Sequence, residues 1–166
     1  MKLYLLRHAN AAERNAGEYP DDSLRPLTSA GCRKMTRIAR ALEKMDLKVD
    51  LILSSPFLRA RETAEIARKT LQLDRDQLVL TDRLLPSGSA KRLIEEIRGK
   101  YPLDNLLLVG HEPDLSELVS LLLMGEPSPL ITLKKGGICC LSVDELVAGK
   151  CATLEWLINP AQLGPQ

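Results

Sequence analysis

The two histidines of the chain are the residues best suited to chemistry, because each closely follows a short apolar segment typical of a buried strand. His8 stands after segment 2–6 (KLYLL) with Arg7 before it, and His111 follows segment 105–109 (NLLLV) after one glycine. A neutral imidazole can attack phosphorus, and guanidinium groups bind phosphoryl oxygens through paired hydrogen bonds. The pattern therefore predicts a site for phosphoryl transfer.

A third apolar segment, 50–54 (DLILS), is followed by a helix start that brings a second arginine. Pro56 suits the first position of a helix with Ser55 as its N-cap, which places Arg59 in the first turns. Ligands of open parallel sheets bind at the carboxyl ends of the strands, where helix N-termini offer N–H groups to a phosphate. We therefore expect four residues to share one crevice: Arg7, His8, Arg59 and His111.

The alternation of short apolar segments with longer amphipathic ones predicts one α/β domain over residues 1–166. Two further β-like segments close the chain, 137–143 (GICCLSV) and 152–158 (ATLEWLI). Apolar residues at helical spacing lie between the strands, with Thr28 as the N-cap of the first helix and Pro113 at the start of the last. The expected architecture is three-layer α/β/α, with a mostly parallel central sheet and one antiparallel strand near the end.

Charge and composition exclude several classes of function. Lys and Arg number 23 and Asp and Glu 22, so no overall field attracts nucleic acid or a membrane surface. The apolar start of the chain is too short for a signal segment, and no segment reaches the roughly 20 residues of a membrane span, which favours the cytoplasm. The cysteines form no CxxC pair, and we interpret the adjacent Cys139 and Cys140 as core residues rather than a redox pair.

Each of the four crevice residues also has a simpler interpretation. A single histidine at a strand end commonly makes a structural hydrogen bond, and Arg59 taken alone would be a charge on a helix surface. The expected proximity of all four favours a site instead. Two long irregular segments, 9–27 and 124–136, are predicted to form the walls of its cleft.

Three short motifs follow one another in a characteristic order. They are Leu6-Arg7-His8, segment 54–64 (SSPFLRARETA) and Val109-Gly110-His111. Together they resemble the signatures of the histidine phosphatase superfamily (branch 1), which includes the phosphoglycerate mutases. The short length and segment 25–31 (RPLTSAG) are similar to the bacterial phosphohistidine phosphatases of the SixA type.

This resemblance implies a phosphoglycerate mutase-like fold and a reaction without metal or cofactor. It implies His8 as the nucleophile, with Arg7, Arg59 and His111 as the phosphate pocket. The glycine that usually follows the nucleophile is Ala9 here, a change that we expect to be tolerated if the backbone keeps a negative φ.

The general acid of larger relatives has no obvious counterpart in the sequence. Asp82 has the best position for it, and Glu13 and Asp22 in the first long loop are weaker candidates. For each of them an ordinary surface carboxylate is the alternative interpretation. The missing acid favours a phosphohistidine substrate, because histidine can leave as neutral imidazole whereas an alkoxide needs a proton.

We therefore predict a metal-independent protein phosphohistidine phosphatase that acts on a phosphorelay domain, with Asn10 as a further substrate contact. Two alternatives stay open. A phosphatase or mutase of small phosphate esters would have a deep pocket and an acid near His8. A catalytically weak module that only binds phosphohistidine would show no turnover.

Overall fold

The computed structural model describes residues 1–15, 17–128 and 130–163, and within them a six-stranded sheet lies between helices. The strands are β1 (Lys2–Arg7), β2 (Leu51–Ser54), β3 (Leu78–Leu80), β4 (Asn105–Gly110), β5 (Ile138–Val143) and β6 (Ala152–Ile158). The α-helices are α1 (Ser29–Lys44), α2 (Leu58–Thr70), α3 (Ala90–Lys100) and α4 (Asp114–Met124). Of the helices in these residues, none has the length and apolar composition that a membrane crossing needs.

The strand order is β3-β2-β4-β1-β5-β6. The first four strands in this order pair in parallel, and β5 is antiparallel to both of its neighbours, β1 and β6. The predicted mostly parallel sheet with one antiparallel strand near the end of the chain is thus confirmed. The sequence-based prediction lacks β3, because three residues are too few to show a strand periodicity.

Alternate side chains of β1 enter two separate apolar cores, one on each face of the sheet. Leu3 and Leu5 belong to the core under α3 and α4, whereas Tyr4 and Leu6 belong to the core under α1 and α2. The buried central strands therefore read as continuous apolar segments, as expected for a sheet covered on both faces. Cys139 and Cys140 follow the same alternation, which confirms the interpretation that they are core residues.

The register of the parallel strands brings three strand ends to one edge. Arg7 at the end of β1 pairs with Gly110 at the end of β4, and Ser54 at the end of β2 pairs with Val109. The ladder continues one residue further, because the His8 N–H donates to the Gly110 carbonyl over 3.1 Å. The residues that follow the strands are therefore fixed in relation to one another by backbone hydrogen bonds.

Two of the three predicted helix starts differ in detail from the structure. Thr28 caps α1 as expected, since its hydroxyl accepts the N–H of Gly31 over 2.9 Å. In contrast, α2 begins at Leu58, two residues after Pro56, and α4 begins at the residue after Pro113. The Ser55 hydroxyl is not a helix cap, because it accepts from the N–H of Phe57 in the preceding turn over 3.3 Å.

Candidate active site

A polar cleft of about 280 Å³ lies at the carboxyl ends of β1, β2 and β4. Its lining includes all four of the predicted crevice residues: Arg7, His8, Arg59 and His111. Six other residues complete most of the wall: Arg14, Asp22, Arg25, Pro86, Glu112 and Lys135. The cleft is therefore rich in cationic side chains although the chain as a whole carries a net charge of only +1.

Several buried polar atoms of this cleft have no hydrogen-bond partner. Among the described residues, the buried side-chain atoms without a partner are Arg7 Nε, Arg59 Nε, His111 Nδ1 and Glu112 Oε1. Buried polar groups are normally paired, because leaving one unpaired costs about 1–3 kcal/mol. Since all four atoms belong to residues of one cleft, they indicate a place prepared for a polar ligand.

The imidazole of His8 is buried, with 7% of the residue exposed. Its Nδ1 lies 2.8 Å from the carbonyl oxygen of Ala9. Because a carbonyl can only accept, Nδ1 carries the hydrogen and Nε2 keeps a free lone pair. Burial, reinforced by the positive charges of Arg59 and Arg7, lowers the pKa of His8 to about 4 against the opposing effect of the Ala9 hydrogen bond. The ring is therefore neutral at pH 7, as a nucleophile must be.

His111 lies beside His8, with 5.2 Å between the two ring centroids. Its Nε2 is 2.8 Å from the hydroxyl of Ser55, while Nδ1 has no partner. Burial, together with the neighbouring His8 and Arg59, lowers the pKa of His111 to about 3. This ring is also neutral at pH 7, so it can offer one N–H to an oxygen without adding charge.

Two guanidinium groups flank the histidines, and burial lowers the pKa of both. Arg7 donates from Nη1 to the carbonyl of Leu133 over 2.8 Å. Arg59, in the first turn of α2, donates to the backbone carbonyl and the carboxylate of Asp22 over 2.9 and 3.0 Å. Each group thus keeps a fixed position while its Nε remains unpaired.

The two long loops supply the walls of the cleft, as the sequence predicts. Loop 9–27 contributes Arg14, Asp22 and Arg25, and loop 124–136 contributes Lys135. Asp22 joins the loop to the site, because Arg25 and Arg59 contact its two carboxylate oxygens over 2.7 and 3.0 Å. The side chain of Arg14 is 85% exposed, so this wall faces solvent.

Three of the residues predicted from the sequence lie away from the cleft lining. The side-chain oxygen of Asn10 is 3.4 Å from the ammonium group of Lys34, and its carbonyl accepts the N–H of Thr28. Asp82 is exposed in a short helical turn after β3 and is absent from the lining. Of the three candidate acids, Glu13 is also exposed and outside the lining, so only Asp22 reaches the cleft.

Glu112 also lines the cleft, although its sequence context did not mark it as a site residue. The signal available for it was its position, directly after His111 at the carboxyl end of β4. Its burial and the direction of its carboxyl group depend on packing against α4, where Ser116 donates to Oε2 over 2.5 Å. Glu112 and Asp22 are the carboxylic residues in the described lining of the cleft.

The replacement of glycine by Ala9 is compatible with the backbone at this point. Ala9 is not one of the non-glycine residues with positive φ, which are Asp46, Gln72 and Ser87. Its methyl group is fully buried, and its N–H donates to the hydroxyl of Thr63 on α2 over 3.0 Å. A side chain at position 9 therefore fills core space without backbone strain.

Across residues 1–15, 17–128 and 130–163, no three His, Cys, Asp or Glu side chains are grouped in a way that could hold a metal ion. A metal-independent reaction stays a prediction.

The chain resembles known proteins over most of its length. The sequence profile of the histidine phosphatase superfamily (branch 1) matches residues 3–84. The phosphohistidine phosphatase SixA of Escherichia coli is 30% identical over 165 residues, covering 98% of this chain and 96% of the relative. An uncharacterized protein of Picosynechococcus sp. is 36% identical over 140 residues, or 83% of this chain and 82% of that protein. A solved structure of the protein histidine phosphatase SixA complexed with tungstate, 29% identical, superposes with a TM-score of 0.83 over 99% of this chain and 100% of the other.

Proposed function

Because the chain belongs to branch 1 of the histidine phosphatase superfamily, we propose that it is a protein phosphohistidine phosphatase with His8 as its nucleophile. It takes a phosphoryl group from a histidine of a partner protein onto His8 and then passes it to water. The observation that carries this proposal is the state of His8, which is neutral and holds its hydrogen on Nδ1. Its Nε2 is thus free to attack phosphorus.

The phosphoryl group is bound by the side chains around His8. The unpaired Nε atoms of Arg7 and Arg59 donate to phosphoryl oxygens, and the two guanidinium groups balance the charge that develops during in-line transfer. His111 donates a further hydrogen bond. Ser55 acts as a positioning residue, because its hydroxyl bonds His111 Nε2 and fixes the orientation of that ring.

After transfer, water attacks phosphorus on the His8 adduct and the N–P bond breaks. Because the Ala9 carbonyl keeps the hydrogen on Nδ1, His8 leaves as a neutral imidazole. The same argument applies to the substrate histidine, which leaves as neutral imidazole if its far ring nitrogen is protonated. A strong acid is therefore not required for this substrate class.

The proposal of a protein substrate is supported by the relatives and by the exposed cationic side chains at the cleft. SixA of Escherichia coli, which shares the full length of the chain, is a phosphohistidine phosphatase, and the related SixA structure holds tungstate, a tetrahedral oxyanion like phosphate. Arg14 and Lys135, which line the cleft, are exposed and are thus available to a partner surface. A phosphorelay domain in the cytoplasm is the partner that we propose.

The test follows phosphate release from a phosphohistidine-bearing protein by the parent chain and His8→Ala, in EDTA, with p-nitrophenyl phosphate as the ester control. We expect rapid release by the parent, none by His8→Ala, and slow ester hydrolysis. Binding of the phosphoprotein without release would favour the docking module, and faster hydrolysis of the ester would contradict the substrate assignment.

The covalent step can be assigned separately, because the chain contains only two histidines. Rapid quenching in alkali, which preserves phosphohistidine, should trap labelled phosphate on the parent and on His111→Asn. It should trap none on His8→Ala. Label that survives in His8→Ala would overturn His8 as the nucleophile.

A further inference from the structure

The cleft contains two carboxylic residues whose surroundings differ sharply. Asp22 lies on the loop wall among arginines, whereas Glu112 lies at the end of β4 next to His111. A carboxyl group in contact with several guanidinium groups stays ionised, and one that is buried without a partner holds a proton more readily. The two groups are therefore suited to different tasks.

Asp22 is fully engaged with cations. Burial alone would raise the pKa of its carboxyl, but the hydrogen bond from Arg25 and the charges of Arg59 and Arg25 hold it below the usual range. One oxygen accepts from Arg25 over 2.7 Å and the other from Arg59 over 3.0 Å. This carboxylate positions the arginines and has no proton to give at neutral pH.

One carboxyl oxygen of Glu112 accepts a hydrogen bond, and the other has no hydrogen-bond partner. Oε2 accepts from the Ser116 hydroxyl, while Oε1 is buried without a partner. Burial raises the pKa of this carboxyl above its usual value, against the opposing effects of the Ser116 hydrogen bond and the Arg7 charge. A phosphoryl dianion bound by Arg7 adds negative charge nearby, which favours the protonated form further.

We propose that Glu112 is the proton donor of this cleft and that it extends the substrates from phosphohistidine to phosphate monoesters. This inference rests on the proposed transfer to His8. As His8 Nε2 forms its bond to phosphorus, the P–O bond to the alcohol breaks and Glu112 Oε1 gives its proton to the leaving oxygen. The products of this step are the free alcohol, phosphorylated His8 and an ionised Glu112.

The second step returns the site to its starting state. Water attacks phosphorus, its proton passes to the Glu112 carboxylate, and the electron pair of the N–P bond returns to His8 Nε2. For a phosphohistidine substrate the first step needs no acid, since neutral imidazole leaves. The two substrate classes therefore differ in how strongly their first step depends on Glu112.

The test compares kcat/KM for the parent chain and Glu112→Gln on p-nitrophenyl phosphate, phenyl phosphate and glycerol phosphate, and on a phosphohistidine protein. This parameter reports the first step, because release of the alcohol makes that step irreversible. General acid catalysis typically contributes about 10²–10⁴-fold. We expect a loss of about 10²-fold or more on glycerol phosphate and a loss within about threefold on p-nitrophenyl phosphate and phosphohistidine, whose leaving groups need no proton.

Glu95→Gln is the matched control, because Glu95 is exposed on α3 and lies outside the lining of the phosphate-binding cleft. It makes the same change of side chain and should leave kcat/KM unchanged on every substrate. Gln at position 112 can still accept the hydrogen bond from Ser116, so Glu112→Gln should keep the local structure. Glu112→Asp is a second variant, which keeps a carboxyl group on a shorter side chain. Its kcat/KM on glycerol phosphate should fall less than that of Glu112→Gln.

Three results would overturn the proposal: equal loss on all four substrates, no loss on glycerol phosphate, or a parent chain that does not hydrolyse glycerol phosphate. These results are distinguishable from a failure of the proposed function. If His8→Ala still turns over phosphohistidine, the nucleophile assignment fails; if it is inactive while Glu112→Gln behaves as the parent does, only the role of Glu112 fails.

Discussion

The carboxyl edge of the sheet and the rest of the same strands differ in whether their polar groups have hydrogen-bond partners. Away from the carboxyl edge, at the amino ends of β2 and β4, the half-buried carboxylate of Asp50 accepts from both the backbone and the side chain of Asn105 over 2.7 and 3.2 Å. At the edge, Arg7, Arg59, His111 and Glu112 keep buried atoms without partners. An unpaired buried group destabilises the fold, so its presence at one edge indicates that binding, rather than folding, determines these positions.

Removing a cation from the edge is the most direct test of whether the edge residues serve binding rather than stability. Arg59→Met should lower kcat/KM by about 10²–10³-fold, because the guanidinium stabilises charge in the transition state. The free energy of unfolding should change by less than about 1 kcal/mol, since Asp22 keeps its contact with Arg25 and the cost of burying the Arg59 guanidinium is removed. Steady-state kinetics and chemical denaturation measure the two effects on the same sample.

Arg68→Met on the same helix is the control for this change. Arg68 pairs with Glu65 over 3.1 Å and donates to the carbonyl of Leu73, away from the cleft. Its removal should leave kcat/KM within about twofold. If Arg59→Met lost stability but kept activity, the edge would resemble the interior and the comparison would fail.

The reverse pattern is expected for the interior of the sheet. Leu107 in β4 is fully buried in the core under α1 and α2. Leu107→Ala should lower the free energy of unfolding by about 2–5 kcal/mol, because it removes apolar contacts and leaves a cavity. The kcat/KM of the folded fraction should stay within about threefold, since the strand ends are held by backbone hydrogen bonds.

Leu154→Ala provides the comparison on β6, because Leu154 is 41% exposed. Chemical denaturation should show a change well below that of Leu107→Ala, because little of the side chain leaves water on folding. A similar loss in the free energy of unfolding for Leu107→Ala and Leu154→Ala would contradict the role of burial in this prediction.

The third prediction uses pH to measure the cost of burying the two histidines. Their pKa values in the fold, about 4 for His8 and about 3 for His111, lie below the ordinary value of 6.5. Between these values the unfolded chain binds protons that the folded chain does not, so stability is complete above pH 6.5 and is lost as the pH falls. Between pH 7 and pH 5 the loss should be about 2 kcal/mol for each histidine.

Denaturation curves at several pH values between 5 and 7 measure this slope. No other histidine occurs in the chain, so His8→Asn should remove about half of the slope in this range. An unchanged slope in His8→Asn would place the titrating group elsewhere and would contradict the neutral, buried state of His8. Activity of the parent chain should persist to about pH 5, since both rings stay neutral there.

Much of the fold followed from local patterns in the sequence. Segments 2–6, 50–54 and 105–109 became β1, β2 and β4 within one or two residues, because a strand buried on both faces must be apolar throughout. The helix starts at Pro56 and Pro113 were less well predicted, since turns that precede a helix depend on which partners their polar groups find in the fold.

The meeting of Arg7, His8, Arg59 and His111 in one cleft was also predictable, because parallel strands that end together must present their following residues at the same edge. The amino-acid types in those positions determined the chemistry, a neutral imidazole beside guanidinium groups. The sequence alone therefore determined five of the six strands, the functional edge of the sheet and the residues suited to phosphoryl transfer.

Only the tertiary structure decided how the remaining polar side chains are distributed. It engages the side chain of Asn10 with Lys34 on α1, leaves Asp82 in solvent, pairs Asp22 with arginines and brings Glu112 into the cleft. The direction and burial of such side chains depend on contacts between residues far apart in the chain. Local periodicity in the sequence carries no information about those contacts. The identity of the carboxyl that holds a proton follows from that packing, because burial and neighbouring charge set its pKa.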